Sequence, residues 1–275
     1  MTSSIGRDFP VLRVLDGTLH NGVRFAVTTR EGGGSSGEYA RGNLADHVGD
    51  SPTSVASNRA SLAQQLGAHR GLAVIAAVHG ASTTWVRRAG TYGNVDALLT
   101  DTPGLGILAL GADCAVVGVA ATRVDGTHVI GVAHCGWRGL EADVIGALVA
   151  DITSAGGKHL QAIQGPTICG SCYLVDEARS RQVLDACTPG VARVAVRPAD
   201  VPGQFHLDIR AGVRQRLTEL GVLIQEECGC TAEDERWFSH RSSVNRFGPD
   251  AKTGRHGLGI VIGDVTRGKA RDDEG

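Results

Sequence analysis

GADCAVVGVAATRVDGTHVIGVAHCGWRGL, residues 111–140, decides the fold. Two apolar runs, Ala115–Ala121 and Val129–Ala133, are rich in β-branched residues and bounded by glycine or polar turns, the pattern of buried strands. After the turn Cys135–Gly139, apolar residues recur every four positions at Leu140, Val144, Leu148 and Ile152. That spacing predicts an amphipathic helix following the strand that ends at His134, with its N-terminus directed at that strand end. Cys114 and His134 stand at the edges of the two runs.

Working outward, Val74–Val78 and Gly106–Leu110 repeat the short apolar pattern. Ser51-Pro52 is an N-cap followed by proline at the first helical position, and Val55, Arg59, Leu62, Ala63 and Leu66 carry helical spacing up to Gly67. A helix over 52–66 follows. Near the N-terminus, Val11–Leu15 and Val23–Thr29 read as the strands of a hairpin, with Asp16-Gly17 and Asn21-Gly22 as turn residues. The glycine-rich segment Arg30–Gly37 and the polar segment Tyr39–Asp50, which holds Asn43 and His47, read as loops. Further helices are predicted at about 176–187 and 208–220, the second stopped by Gly221. Ser242–Arg255 reads as a loop, and the tail from Arg267 is short and charged. The resulting fold class is α/β (α+β-like), with mixed, largely antiparallel sheets flanked by helices. One domain spans residues 1–265, and 266–275 form a charged tail.

The chain has 275 residues, a formal charge of −2 and scattered basic residues, which leaves no footprint for nucleic acid or an anionic membrane. No apolar run approaches the roughly 20 residues that span a bilayer. Seven cysteines, an odd number, and the lack of a secretory pattern at the start argue for a reducing cytoplasm. Small-molecule chemistry is the expected class, and the sequence is silent on oligomeric state.

His79 in VIAAVHG, Cys114 in GADC and His134 in GVAHCGWRGL each sit where an apolar run meets a glycine-flanked turn. Two imidazoles and a thiol far apart in sequence meet only if a sheet gathers its strand ends, as scaffolded sites do. Three protein ligands with a fourth position open is the catalytic zinc pattern, whereas structural sites show four. The local pairs Cys169–Cys172 and Cys228–Cys230 lack the partner pair of a zinc ribbon or finger and carry little zinc signal. Cys135 adds a further soft donor beside His134. Gly136 and Gly139 permit a tight turn whose amides face the site, with Arg138 available to an anion.

The chain resembles the YfiH or laccase-domain family, long labelled multicopper polyphenol oxidoreductases and described as zinc-containing purine nucleoside phosphorylases. The matching segments run in order: VTTREGGGSSGEYARGNLADHVGD (27–50), VHG (78–80), GADCAVVGV (111–119), GVAHCGWRGL (131–140), QGPTICGSCYLV (164–175), FHLDIRAGVRQRL (205–217), CTAEDERWFSHR (230–241) and TGRHGLGIV (253–261). The resemblance implies a YfiH-like fold and one zinc ion per chain on His79, Cys114 and His134, copper being a possible substitute. Cys135 stands where the family has alanine, Leu174 where it has glutamate, and the 242–253 segment is longer than usual.

The implied activity is phosphorolysis of purine nucleosides (adenosine, inosine, guanosine, methylthioadenosine), with adenosine deamination beside it. Placing phosphate against an anomeric carbon calls for cationic groups and hydrogen bonds to sugar and base. Arg30, Arg138 and Arg241 are the candidate anion binders, and Asn43 and His47 the candidate sugar or base contacts. Three alternatives stand beside this. A laccase-type polyphenol oxidase needs several coppers on paired histidines, yet none of the ten histidines forms an HxH pair. A cysteine hydrolase would use Cys114 with His134. Peptidoglycan editing is the cell-wall alternative.

Overall fold

Strands with apolar residues on both faces need cover on both sides, and here two sheets stack on each other with helices outside them. The computed structural model describes residues 11–20 and 22–263. Within these the strands are β1 (Val14–Leu19), β2 (Val23–Thr28), β3 (Leu72–Ala76), β4 (Thr83–Trp85), β5 (Gly90–Gly93), β6 (Ala97–Thr100), β7 (Gly106–Gly111), β8 (Ala115–Thr122), β9 (His128–Cys135), β10 (Lys158–Gln164), β11 (Leu174–Asp176), β12 (Val196–Pro198), β13 (Gln204–Leu207), β14 (Leu223–Glu227) and β15 (His256–Ile262). One six-stranded sheet has the order β1-β2-β15-β7-β3-β5, the other β14-β10-β8-β9-β6-β4, and β11-β13-β12 form a small third sheet. Eight of the twelve strand pairs are antiparallel, so the expected class of mixed, largely antiparallel sheets holds.

The helices are α1 (Pro52–Leu66), α2 (Trp137–Glu141), α3 (Val144–Ser154), α4 (Glu177–Ala186), α5 (Pro189–Ala195), α6 (Ile209–Glu219) and α7 (His240–Phe247). Val116, Ile130, Val132 and Leu98 of the second sheet bury against Val27, Ile107, Leu258 and Ile260 of the first. The alternate residues Val117, Val119, Val129 and Ala133 face Leu148 and Ile152 of α3 and Val213 of α6. On the far side of the first sheet, Leu62 and Leu66 of α1 cover Val74, Leu108 and Val261. Strand alternation therefore settles where His134 and Cys135 go: His134 sits opposite Val116 on β8, on the face toward the other sheet, and Cys135 joins the helix-side core.

Several expectations shift. The first strand runs Val14–Leu19, straight through Asp16-Gly17, which pair with Ala26 and Phe25. Gly17 is there because any Cβ would stand 2.7 Å from the Phe25 ring, a packing reason rather than a turn. The helix expected after His134 is broken in two at Asp143, which turns left-handed (φ 57°) and caps α3 by accepting from Gly146 N–H. The start of the Ser242–Arg255 segment, read as loop, belongs to α7, which is capped by Ser239 accepting from Ser242 N–H. Its charged, polar sequence lacks an apolar stripe and none of its residues is buried, so periodicity is silent there. The helices expected at 176–187 and 208–220 are α4 and α6, and 52–66 is α1. Asn21, the 265 boundary and the tail from Arg267 lie outside the described residues.

Candidate metal centre

The site is assembled by a carboxylate that sequence reasoning passed over. Asp96, fully buried ahead of β6, accepts from the amides of Val78 (3.1 Å), His79 (2.7 Å) and Gly80 (2.7 Å). Three backbone donors on one carboxylate fix the turn after β3 that presents His79, which is held at φ 65°. The same carboxylate lies 3.6 Å from His134 Nδ1. Burial alone would raise the Asp96 carboxyl, yet the His134 ring and the Gly80 and His79 amides hold it below its ordinary value. The signal available in sequence is the lone acid in the apolar run VDALL.

Cys114 immediately precedes β8, in a bend whose Asp113 is also left-handed (φ 99°). Both Asp113 carboxylate oxygens are engaged, Oδ1 accepting from Thr231 Oγ1 at 2.6 Å and Oδ2 from Arg241 N–H at 2.6 Å. Opposite, His134 is 5% exposed near the end of β9. The His79 and His134 rings meet edge to face at 4.7 Å between centroids. One donor atom from each of His79, Cys114 and His134 lies within 4.8 Å of the others. Gly136 makes the cradle: a Cβ there would stand 2.9 Å from Cys114 Sγ and 3.4 Å from His79.

Burial would push the Cys114 thiol up, but His134 and then His79 more than reverse this and bring it down to about 6. Burial would lower the His134 imidazole, while the Cys114 thiolate and Asp96 raise it to about 9. Each of the two groups thus favours the charged form of the other, and a bound cation would take the place of the ring proton. One thiolate and two imidazoles, with Asp96 behind His134, fit a single transition-metal ion with a coordination position to spare.

The three donors open into a cavity of about 520 Å³. His47 lines it, and so do His240 and Arg255, which sequence reasoning did not assign although both lie in quoted segments. Burial lowers the pKa of Arg255, and burial followed by the Arg255 charge lowers that of His47. Asn43 is fully buried elsewhere: its amide donates to Ala45 O and Asp50 Oδ2, and its Oδ1 accepts from the amides of Ala45 and Arg255. Arg30 donates to Ala40 O and lies over the Phe238 ring, in a neighbouring cleft. Arg138 lies over Trp137 at 4.5 Å, and Arg241 over Tyr173 at 4.9 Å beside a third cleft.

Two cysteine expectations are corrected. Cys135, foreseen as an extra donor beside His134, is fully buried on the opposite face of β9, and burial pushes its thiol far up. Cys230, but not Cys228, meets the Cys169–Cys172 pair, since the loop after β10 and the segment after β14 run side by side: Thr167 N–H donates to Gly229 O, and Cys169 N–H to Cys230 Sγ. Cys169, Cys172, Cys230 and Glu233 bring their donor atoms within 4.8 Å of one another. A search for a second CxxC pair misses this because the fourth donor is a glutamate three residues beyond Cys230.

Residues 24–263 match the family model described as multi-copper polyphenol oxidoreductase laccase. The chain is 37% identical over 228 residues to the purine nucleoside phosphorylase of Corynebacterium glutamicum, covering 80% of this chain and 89% of that protein. It is 34% identical over 239 residues to a purine nucleoside phosphorylase of Mycobacterium bovis, covering 85% and 89%. Its fold is similar to the crystal structure of the Bacillus licheniformis hypothetical protein YfiH, with a TM-score of 0.79, 26% identity, and coverage of 93% and 97%.

Proposed function

The chain belongs to the laccase-like YfiH family, and from that premise we propose that it is a zinc-dependent purine nucleoside phosphorylase. The observation that carries the reading is the shared cavity: a three-donor metal set and the half-buried Arg255 guanidinium face the same space. Its volume of about 520 Å³ suits a small molecule, for which sites span roughly 300–1,000 Å³.

In this reading a phosphate oxygen bonds to the anomeric carbon of adenosine, inosine, guanosine or methylthioadenosine as the glycosidic C–N bond breaks. The electron pair leaves with the purine, which takes up a proton, and the products are free base and (methylthio)ribose 1-phosphate. His79, Cys114 and His134 would hold the zinc ion, which would supply Lewis-acid polarisation of an oxygen or lower the pKa of a water. Arg255 offsets the phosphate charge, and its own partial burial strengthens that attraction. His47, biased toward its neutral form, accepts or donates a hydrogen bond to the sugar or base. His240 faces the same space. Asn43 positions rather than touches, since it holds the Arg255 backbone amide. Arg30, Arg138 and Arg241 add positive potential that draws phosphate inward. Deamination of adenosine to inosine and ammonia is the second activity we assign to the cavity. We place the protein in the cytoplasm, where its free thiols stay reduced.

The laccase reading is disfavoured by donor count: among the described residues the metal-competent groups are one His-Cys-His set and one Cys-Cys-Cys-Glu set, not a histidine-rich copper cluster. The test is release of free base from the four nucleosides with and without phosphate, for the parent, His79→Ala and Cys114→Ala. Phosphate-dependent release by the parent alone is expected. Release indifferent to phosphate, or equal in all three proteins, sinks the proposal.

A further inference from the structure

We propose that Cys169, Cys172, Cys230 and Glu233 form a second metal site, a structural zinc centre that clamps the loop after β10 to the segment leading into α7. The donor set has the chemistry of a closed zinc site: four ligands, three of them thiols, two of these spaced C-x-x-C. Its geometry fits as well. Zinc bonds of about 2.3 Å to sulfur and about 2.1 Å to oxygen at a tetrahedral angle place sulfur and oxygen about 3.6 Å apart. Glu233 Oε1 lies 3.6 Å from Cys169 Sγ and 3.5 Å from Cys172 Sγ. Three sulfurs favour zinc over magnesium or calcium, which take oxygen ligands.

The surrounding backbone is shaped to hold the donors. Gly170–Cys172 forms one 3₁₀ turn, closed by Cys172 N–H donating to Cys169 O at 3.1 Å, so both sulfurs of the C-x-x-C face one point. Cys169 N–H donates to Cys230 Sγ at 3.3 Å, which fixes that sulfur beside the C-x-x-C pair. Cys169 and Cys230 are buried, Cys172 is half-buried and Glu233 closes the outer side. Binding displaces the three thiol protons, leaving a centre with net charge −2. Arg179 and Arg241, which share a cleft with Cys172, provide positive charge beside it.

This donor set shares no residue with His79, Cys114 and His134, so the proposal stands independently of the proposed activity. The two are joined through Asp113: its main-chain oxygen accepts from Ile168 N–H at 3.0 Å, next to Cys169, and its side chain accepts from Thr231, next to Cys230. A zinc clamp there steadies the bend that presents Cys114.

The test is metal content of the full-length protein purified without chelators, with cobalt substitution as a second readout. Two zinc ions per chain are expected for the parent, one for His79→Ala/Cys114→Ala and one for Cys172→Ser/Glu233→Ala. Cobalt-loaded His79→Ala/Cys114→Ala should show the strong thiolate-to-cobalt charge-transfer band of a three-sulfur site, and Tm of the Cys172→Ser/Glu233→Ala protein should fall by several degrees. If the parent holds one zinc and His79→Ala/Cys114→Ala holds none and gives no cobalt band, the second site does not exist. If Cys172→Ser/Glu233→Ala does not fold, the cobalt band of His79→Ala/Cys114→Ala decides alone. A disulfide among these cysteines, seen as a mass deficit reversed by reductant with no metal bound, also overturns the proposal.

Discussion

The two donor clusters differ in what supplies them. His79, Cys114 and His134 come from three separate points along the sheets, at the ends of β3 and β9 and the start of β8, and they open into a cavity. Cys169, Cys172, Cys230 and Glu233 come from two adjacent loop segments. Three donors on rigid strand ends leave room for chemistry, whereas four donors on loops substitute for the core those loops lack. The small apolar cluster at the second location contains little besides Ile168, Cys169 and Cys230, so few apolar contacts compete with the ion as the source of order there.

The sharpest way to break the contrast is to remove one donor from each cluster. Cys114→Ala is expected to cut phosphorolysis by about a thousandfold or more while Tm shifts by only a few degrees, as removal of a group acting directly in catalysis does. Cys230→Ser should do the reverse, lowering Tm markedly and leaving activity at 25 °C, with zinc in excess so that the first cluster stays loaded, within a few-fold; equal effects on both readouts would erase the distinction.

The next test concerns Asp96, which serves only the first cluster. Asp96→Asn should weaken metal binding by about 10–100-fold, the usual cost of losing a carboxylate behind a ligating histidine. Metal titration with a competing chelator measures this, and an unchanged affinity would show that the three amides alone hold the site. Gly136→Ala, which sets a methyl 2.9 Å from Cys114 Sγ, should weaken binding by about tenfold, with wild-type affinity as the contrary result.

A smaller effect separates the thiols themselves in metal-free protein. Cys114 is held down at about 6, whereas burial first, and a neighbouring thiol after it, push Cys169 and Cys172 up. The thiolate is the nucleophile, so alkylation of Cys114 should rise with pH through about 6 and level off near neutrality, well before Cys169 or Cys172 reacts. Mass mapping of iodoacetamide adducts between pH 5 and 8 checks this, and uniform labelling would contradict it.

What was legible in the sequence follows the same divide. The strands around residues 115–135 and the helix at 52–66 were readable because burial on fixed faces imposes a period. The three metal-binding candidates were readable because each sits in a motif at the end of such a run. Asp96, His240 and Arg255 were not, since their placement depends on which strand end folds against which, and no local period encodes that. Asp16-Gly17 misled for the complementary reason: turn chemistry and room for the Phe25 ring both select glycine. The Cys-Cys-Cys-Glu group needs β10 and β14 to be neighbours, which they are as a parallel pair about sixty residues apart in sequence.

Asp113 has a consequence for metal supply. One residue at φ 99° ties the backbone beside Cys169, the hydroxyl beside Cys230 and the amide of Arg241 to the turn that carries Cys114. If an ion in one cluster orders the turn that the other also uses, each must raise the affinity for the other by the same factor. The fraction of fully loaded molecules then rises with zinc more steeply than one independent site allows. The larger that factor, the fewer half-charged chains remain when zinc is scarce.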